Sequence, residues 1–188
     1  MIIFRSAAAI LLLTGVGALG HGFYLPAKAA LAQILLERAW TSTTGDPVRP
    51  WPWAHTWPVC RLEAPALGVE YIVLAGSEGA ALAFAPGHVD GTAVPGEDGN
   101  IVISGHRDTV FGFLGDLAIG DLLVLEGKDR RTRSYVIEET QVVHEEDTGV
   151  LLPTSRPSLT LITCYPLDAR APGGPLRYVV RATAAGQG

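Results

Sequence analysis

Cys164 stands directly after the run Leu159-Thr160-Leu161-Ile162-Thr163 and before Tyr165-Pro166. Alternation along a strand sends Leu159, Leu161 and Thr163 to one face, so the thiol emerges at the strand's end, where Pro166 stops the pairing. A strand end on a rigid scaffold fixes a nucleophile while leaving one side open. His106 has a parallel setting: Ile101-Val102-Ile103-Ser104-Gly105 reads as a strand, and His106-Arg107-Asp108-Thr109 leads off it. Arg177 opens a third strand, in which Tyr178, Val180 and Ala182 face one way and Arg177, Val179 and Arg181 the other. Thiol, imidazole and guanidinium at strand edges suit covalent acyl transfer. The thiolate attacks a carbonyl, the imidazole moves protons, and the guanidinium holds substrate or the developing oxyanion. A lone cysteine is more often a small buried hydrophobe than a catalyst, so the reading rests on the set.

Protonation limits such a pair. With reference values of roughly 8.5 for a thiol and 6.5 for an imidazole, about a tenth of each is charged near pH 7.5. If they titrate independently, on the order of one molecule in a hundred carries thiolate and imidazolium together. An adjacent Arg raises that fraction by favouring thiolate. Slow turnover with a bell-shaped pH profile is the expectation.

The elements that must position these groups are mostly strands. Apolar or alternating runs occur at Val69–Ala75, Asn100–Gly105, Asp121–Glu126, Ser134–Val143, Ser158–Thr163 and Leu176–Thr183, punctuated by Gly, Pro and Asp. A short helix is expected between Thr109 and Leu117, with Phe111, Leu114 and Leu117 at threes, weakened by Gly112 and Gly115. Six or more short strands with little helix predict an all-β fold, a closed or nearly closed β-barrel of about 130 to 150 residues.

Ahead of the strands, Ser6 to Ala27 holds no Lys, Arg, Asp or Glu, and its 22 residues are enough to span a bilayer. Ala18-Leu19-Gly20 is a passable signal-peptide cleavage site, but the apolar character continues through Phe23, Tyr24 and Leu25, which favours an uncleaved anchor. Its short N-terminus is expected in the cytoplasm and the following domain outside. Ala27 to Trp40 reads as a juxtamembrane helix with Leu31, Ile34, Leu35 and Ala39 on one stripe. Thr41 to Pro58 contains four Pro and three of the four Trp, which predicts an extended connector. Its Trp side chains either plug the end of the following domain or sit in the membrane interface. The division is therefore 1–27 anchor, 28–58 helix and connector, and 59–188 barrel.

The 188 residues carry 14 Lys and Arg against 19 Asp and Glu. Without residues 1–40, which hold Arg5, Lys28, Arg38 and Glu37, the remainder has 11 positive and 18 negative groups. That balance gives no footing for nucleic acid, whose binding rests on neutralising phosphates. Two Cys do not make a disulfide scaffold.

Thr160-Leu161-Ile162-Thr163-Cys164 resembles the sortase signature, and Gly105-His106-Arg107-Asp108-Thr109 resembles the sortase histidine motif. Arg177, thirteen residues after Cys164 in GPLRYVVRA, matches the family's third catalytic position in type and spacing. KAALAQILLERAW, PWPWAHTWP and LAFAPGHVDGTAVPG extend the resemblance to the Gram-negative branch called class GN. His55 and Cys60 depart from that branch, which usually has Asp and a small aliphatic residue there.

The resemblance implies an inner-membrane, single-pass cysteine transpeptidase whose eight-stranded closed β-barrel carries one or two short helices and faces the periplasm. It implies cleavage of an LPXTG-like C-terminal sorting signal on an exported protein, a single dedicated partner, and transfer of the acyl group to an amine. Cys164 is then nucleophile, His106 general acid and base, and Arg177 the substrate and oxyanion clamp, with no cofactor. A hydrolase passing the acyl group to water, or an anchored barrel that binds a partner without chemistry, remain alternatives.

Other candidates have blander readings. Cys60 could bridge Cys164 but is expected to be an incidental thiol, since a bridge would consume the nucleophile. His88 is expected to order a loop. Glu145-Glu146-Asp147 beside His144 is expected to be a solvated face with no metal, because a cation's ligands cannot be assembled from this run alone. Arg130, Arg131 and Arg133 are expected to form a solvated basic turn.

Overall fold

The computed structural model describes residues 24, 27–43, 46–169, 171 and 173–186. Apart from Tyr24 and Ala27, the candidate anchor lies outside them. Among the described residues no helix is long and apolar enough to cross a membrane.

Eight strands close a barrel: β1 Pro58–Ala64, β2 Val69–Ala75, β3 Gly87–His88, β4 Asn100–Ser104, β5 Leu122–Glu126, β6 Thr132–His144, β7 Ser158–Tyr165 and β8 Leu176–Ala184. Their order is β1-β2-β3-β4-β7-β8-β6-β5, with β5 returning to β1. The β2–β3 and β4–β7 pairs are parallel and the others antiparallel. Six strands coincide with the alternating runs to within two residues at each end. β1 and β3 were not expected. β1 starts on a proline and carries Arg61 and Glu63, and β3 has two residues, too few to show a period.

The inner face collects Ile101 and Ile103 of β4, Leu159 and Leu161 of β7, and Val180 and Ala182 of β8. Each branched aliphatic chain so buried contributes roughly 1.5–3 kcal/mol. Phe111, Leu114 and Leu117 complete this core from the connection between β4 and β5. That connection forms a 3-10 turn over Gly112–Asp116 in place of the expected helix over 109–117. Two glycines in five residues lower the preference for an α-helix, and its apolar side chains reach the core from the tighter turn.

Helix α1 spans 27–42. Its buried stripe is Ala32, Leu36, Ala39 and Trp40, while Leu31 and Ile34 face solvent. Of the expected stripe through Leu31, Ile34, Leu35 and Ala39, Ala39 is buried and Leu31 and Ile34 are not, because the fully buried Trp40 and Leu36 set the helix's rotation on the barrel. Two arginines staple α1 down. Arg61 of β1 bonds Glu37 at 2.6 Å, and Arg130 donates to the Trp40 carbonyl at 2.8 Å while its guanidinium lies 4.5 Å from the Trp40 ring centre. Arg133 pairs with Asp98 at 3.0 Å, so within the basic turn only Arg131 matches the solvated reading.

The connector contains a turn at Trp51, closed by an Ala54 N–H to the Trp51 carbonyl at 3.0 Å. Trp51 meets Phe84 edge-on at 5.4 Å and packs on Leu36, Leu74 and Ala85, and Trp57 packs against the barrel core. Trp53 is 76% exposed. Two of the three tryptophans thus plug the domain and one does not. A four-residue helix α2, Gly79–Leu82, lies between β2 and β3.

Candidate active site

Leu159 and Leu161 point into the barrel, so alternation puts Thr160, Ile162 and Cys164 on the outer face of β7. By the same count Arg177 and Val179 lie on the outer face of β8, opposite inward Val180 and Ala182. Cys164 and Arg177 are direct partners in the antiparallel β7–β8 ladder. Side chains at such positions start roughly 4.5–5.5 Å apart on one face.

His106 arrives from the other side of β7. The parallel β4–β7 register runs from Asn100 opposite Ser158 to Ser104 opposite Ile162. Two further bonds prolong the pairing: the Gly105 N–H donates to the Ile162 carbonyl at 3.1 Å, and the Thr163 hydroxyl donates to the Gly105 carbonyl at 2.8 Å. Counting on in that register brings His106 alongside Cys164. Only glycine fits at 105, since a Cβ there would stand 2.8 Å from the Phe111 ring and from Val110. This close approach lets the Phe111 N–H reach the His106 carbonyl at 3.0 Å, which fixes the backbone beneath an exposed imidazole.

Arg177 lies partly buried, its Nη1 donating to the carbonyls of Gly174 at 2.7 Å and Leu176 at 2.9 Å and its Nη2 to the Glu145 carboxylate. A guanidinium has five N–H groups, so two remain for a ligand. A cavity of about 130 Å³ opens beside it, lined by Val143, Val150, Leu151 and Ile162 among others. Its wall is the β6–β7 connection, which Asn100 pins down. The buried Asn100 amide donates to the carbonyls of Val150 at 2.9 Å and Leu152 at 3.1 Å, and its oxygen accepts from Thr160 at 2.7 Å and Ser158 at 3.2 Å. Every polar atom of that side chain is thereby satisfied in a buried position.

The structure thus pairs Cys164 with Arg177 across β7 and β8 and places His106 one residue past the last bonds between the β4 chain and β7. Asn100 and Arg107 also build the site, and sequence reasoning missed both. Asn100 looked like a strand's first residue, and its four partners come from β7 and a distant turn. Arg107 stood inside the histidine motif with no role attached, and it is buried.

The remaining candidates fall elsewhere. Cys60 is fully buried in the barrel interior, and burial pushes its thiol far above the ordinary range. Both cysteines are free. His88 Nε2 lies 2.9 Å from the Ala93 carbonyl and 3.2 Å from the Thr92 hydroxyl, ordering the β3–β4 connection. In the acidic run Glu145 is taken by Arg177 and Asp147 accepts from the Gly149 N–H at 3.0 Å. Trp51, Trp53, His55, Glu78 and Asp90 line a separate depression of about 500 Å³, which includes none of Cys164, His106 and Arg177.

A family model described as the sortase domain matches residues 62–185. Sortase D of Bacillus subtilis is 36% identical over 123 residues, which cover 63% of this chain and 60% of that protein. The chain thus spans less than two thirds of this relative's length. A Clostridium perfringens sortase D5 transpeptidase is similar with a TM-score of 0.64 at 27% identity, over 80% of this chain and 89% of that one. The catalytic domain of B. anthracis SrtD is similar with a TM-score of 0.59 at 38% identity, over 69% of this chain and 88% of that one. A closed eight-stranded barrel, a thiol paired across two strands with an arginine, and a domain match over most of the barrel agree: the chain belongs to the sortase family.

Proposed function

We propose that this protein is a membrane-anchored sortase that cleaves an LPXTG-like C-terminal sorting signal of an exported partner and transfers the acyl group to an amine. The observation that carries the reading is the direct pairing of Cys164 of β7 with Arg177 of β8 on the outer face, with His106 two residues beyond the end of neighbouring β4. In this mechanism the Cys164 thiolate attacks the scissile carbonyl carbon. The oxyanion that forms accepts hydrogen bonds from the Arg177 N–H groups left free by Glu145 and the two carbonyls. As the carbonyl re-forms, the C–N bond breaks and the imidazolium of His106 protonates the departing amine. The thioester then meets an incoming amine, whose proton passes to His106 while its nitrogen displaces the sulfur.

Anchoring by Ser6–Ala27 in the inner membrane, with the barrel in the periplasm, belongs to the same proposal. It is supported by an uncharged run that leads straight into α1, and by exposed Leu31, Ile34 and Trp53 on that flank. Assignment to class GN rests on the Lys28–Trp40, Trp-Pro and Leu82–Gly96 stretches, and the single dedicated partner rests on that assignment.

The test is product analysis with a panel of LPXTG-type peptides, with and without an added amine. Cleavage between Thr and Gly with amine-dependent ligated product is expected. Cleavage giving only the free acid at saturating amine would make the protein a hydrolase, and no cleavage of any peptide would overturn the substrate class.

A further inference from the structure

The site contains a cation that the acyl-transfer reading does not use. Arg107 follows His106, yet it is only 4% exposed while its neighbour Asp108 has a side chain 64% exposed. A guanidinium taken out of water needs partners for its charge and its N–H groups. Arg107 uses four of its five: Nε donates to Asp108 Oδ1 at 2.8 Å and Nη2 to Asp108 Oδ2 at 3.3 Å. Nη1 donates to the Pro166 carbonyl at 2.8 Å, and Nη2 also to the Ala171 carbonyl at 3.2 Å. Pro166 lies two residues beyond Cys164, and Ala171 is further along the same β7–β8 connection. The fork therefore ties the chain after the nucleophile to the chain that carries the imidazole.

We propose that Arg107 is a positioning residue for the Cys164 reaction: its guanidinium holds the β7–β8 connection against the His106 segment and keeps a fixed positive charge near the thiol. The proposal rests on Cys164 being the nucleophile, although part of its test does not.

The charge has a second consequence. The Arg107 guanidinium is held in its charged form first by the hydrogen bond to Asp108, against the opposing pull of burial, and then by the negative charges of Asp108, Cys164 and Asp168. The hydrogen bond to the Pro166 carbonyl, two residues after Cys164, sets that positive charge against the segment that carries the thiol. The charged and titratable groups on the segments bordering Cys164 are His106 and Arg107 just after β4, Arg177 of β8 with its partner Glu145, and Asp168 in the β7–β8 connection. Arg177 has its charge partly cancelled by Glu145, as Arg107 has by Asp108. Two half-neutralised cations thus sit on segments that border Cys164, of which sequence reasoning named one.

Charge and fork can be separated by substitution. Arg107→Gln removes the charge, whereas Arg107→Lys keeps it but offers a point ammonium that cannot span two carbonyls and a carboxylate. The first readout is the pH dependence of Cys164 alkylation by iodoacetamide in the full chain, which needs no substrate. Arg107→Gln is expected to move the midpoint upward by about half a pH unit or more, and Arg107→Lys to leave it near wild type. The second is turnover of a cleaved sorting peptide, where both variants are expected to lose about tenfold or more in kcat with a smaller change in KM.

An unchanged midpoint in Arg107→Gln with kcat within twofold of wild type would overturn the proposal, as would a midpoint shifted equally in both variants. Should Arg107→Gln fail to fold, Asp108→Asn carries the test. Removing the exposed carboxylate leaves more of the Arg107 charge uncancelled, so the midpoint is expected to fall, and a midpoint that stays or rises overturns the electrostatic role. Failure of every sorting peptide would count against the proposed substrate while leaving the alkylation result to decide on Arg107.

Discussion

The two cysteines occupy opposite faces of one barrel, and the contrast shows how the fold assigns chemistry. Cys60 sits in β1 opposite Val73, facing the interior with no exposed surface, and is held in the neutral thiol form. Cys164 sits at the end of β7 opposite Arg177, on the outer face and partly exposed. Residue type is the same; face and strand position differ. A thiol turned inward loses the solvation a thiolate needs, whereas one turned outward at a strand's end acquires a cation across the ladder and room for a carbonyl.

Substitution should separate the two most sharply. Cys164→Ala is expected to abolish peptide cleavage, a loss of at least about a thousandfold, because no other group at the strand end can form the acyl intermediate. Arg177→Ala is expected to lower kcat by about a hundredfold or more by removing the oxyanion donor. Cys60→Ala should leave kcat/KM within twofold, measured on the same peptide. A large loss there would mean that the inner cysteine reaches the chemistry.

Stability should show the reverse pattern. Cys60→Ser places a hydroxyl in the apolar interior and is expected to lower unfolding free energy by about 1–3 kcal/mol, read from urea denaturation, while Cys164→Ser should change it little.

Alkaline pH sharpens the contrast further. The Cys60 thiol is raised in the folded protein, so above roughly pH 8.5 the unfolded chain loses that proton while the native state keeps it. Native stability then falls with rising pH, by up to about 1.4 kcal/mol per unit from this group, and Cys60→Ala should remove that part of the slope. The sign is the opposite for Asp108, whose carboxyl is held low chiefly by its hydrogen bond from Arg107; its contribution is lost as pH falls through the acidic range.

The smallest effect belongs to the flank where α1 meets the barrel. Arg130→Ala removes the contact with the Trp40 carbonyl and ring and is expected to cost about 1 kcal/mol of stability without altering peptide turnover.

Much of this was legible in the sequence where local pattern carries the information. Alternation marked six strands and placed Cys164, His106 and Arg177 at strand ends, because a period of two shows in any run longer than four residues. It failed where the determinant is non-local. β3 consists of Gly87-His88 and exists because the barrel needs a strand between β2 and β4. The phase of α1 depended on which face met Leu74 and Ala85, and nothing inside a helix rich in Leu and Ala announces that.

The site shows the same division. Its three candidate reactive groups were visible as residue types at spaced positions, whereas Asn100 and Arg107 bond carbonyls 50 to 64 residues away. A buried polar side chain bonding distant backbone leaves no local signature. The Arg130 contact was equally invisible, since it joins a turn to a helix 90 positions earlier.

The central claim is that Cys164, and not Cys60, carries an acyl group during turnover. Intact-mass spectrometry followed by peptide mapping, after incubation with a cleaved sorting peptide and no added amine, tests it most directly. The expected result is one acyl adduct per chain, mapped to Cys164, absent from Cys164→Ala and discharged on adding amine. No adduct on the wild-type chain during cleavage, or an adduct mapped to Cys60, would contradict it.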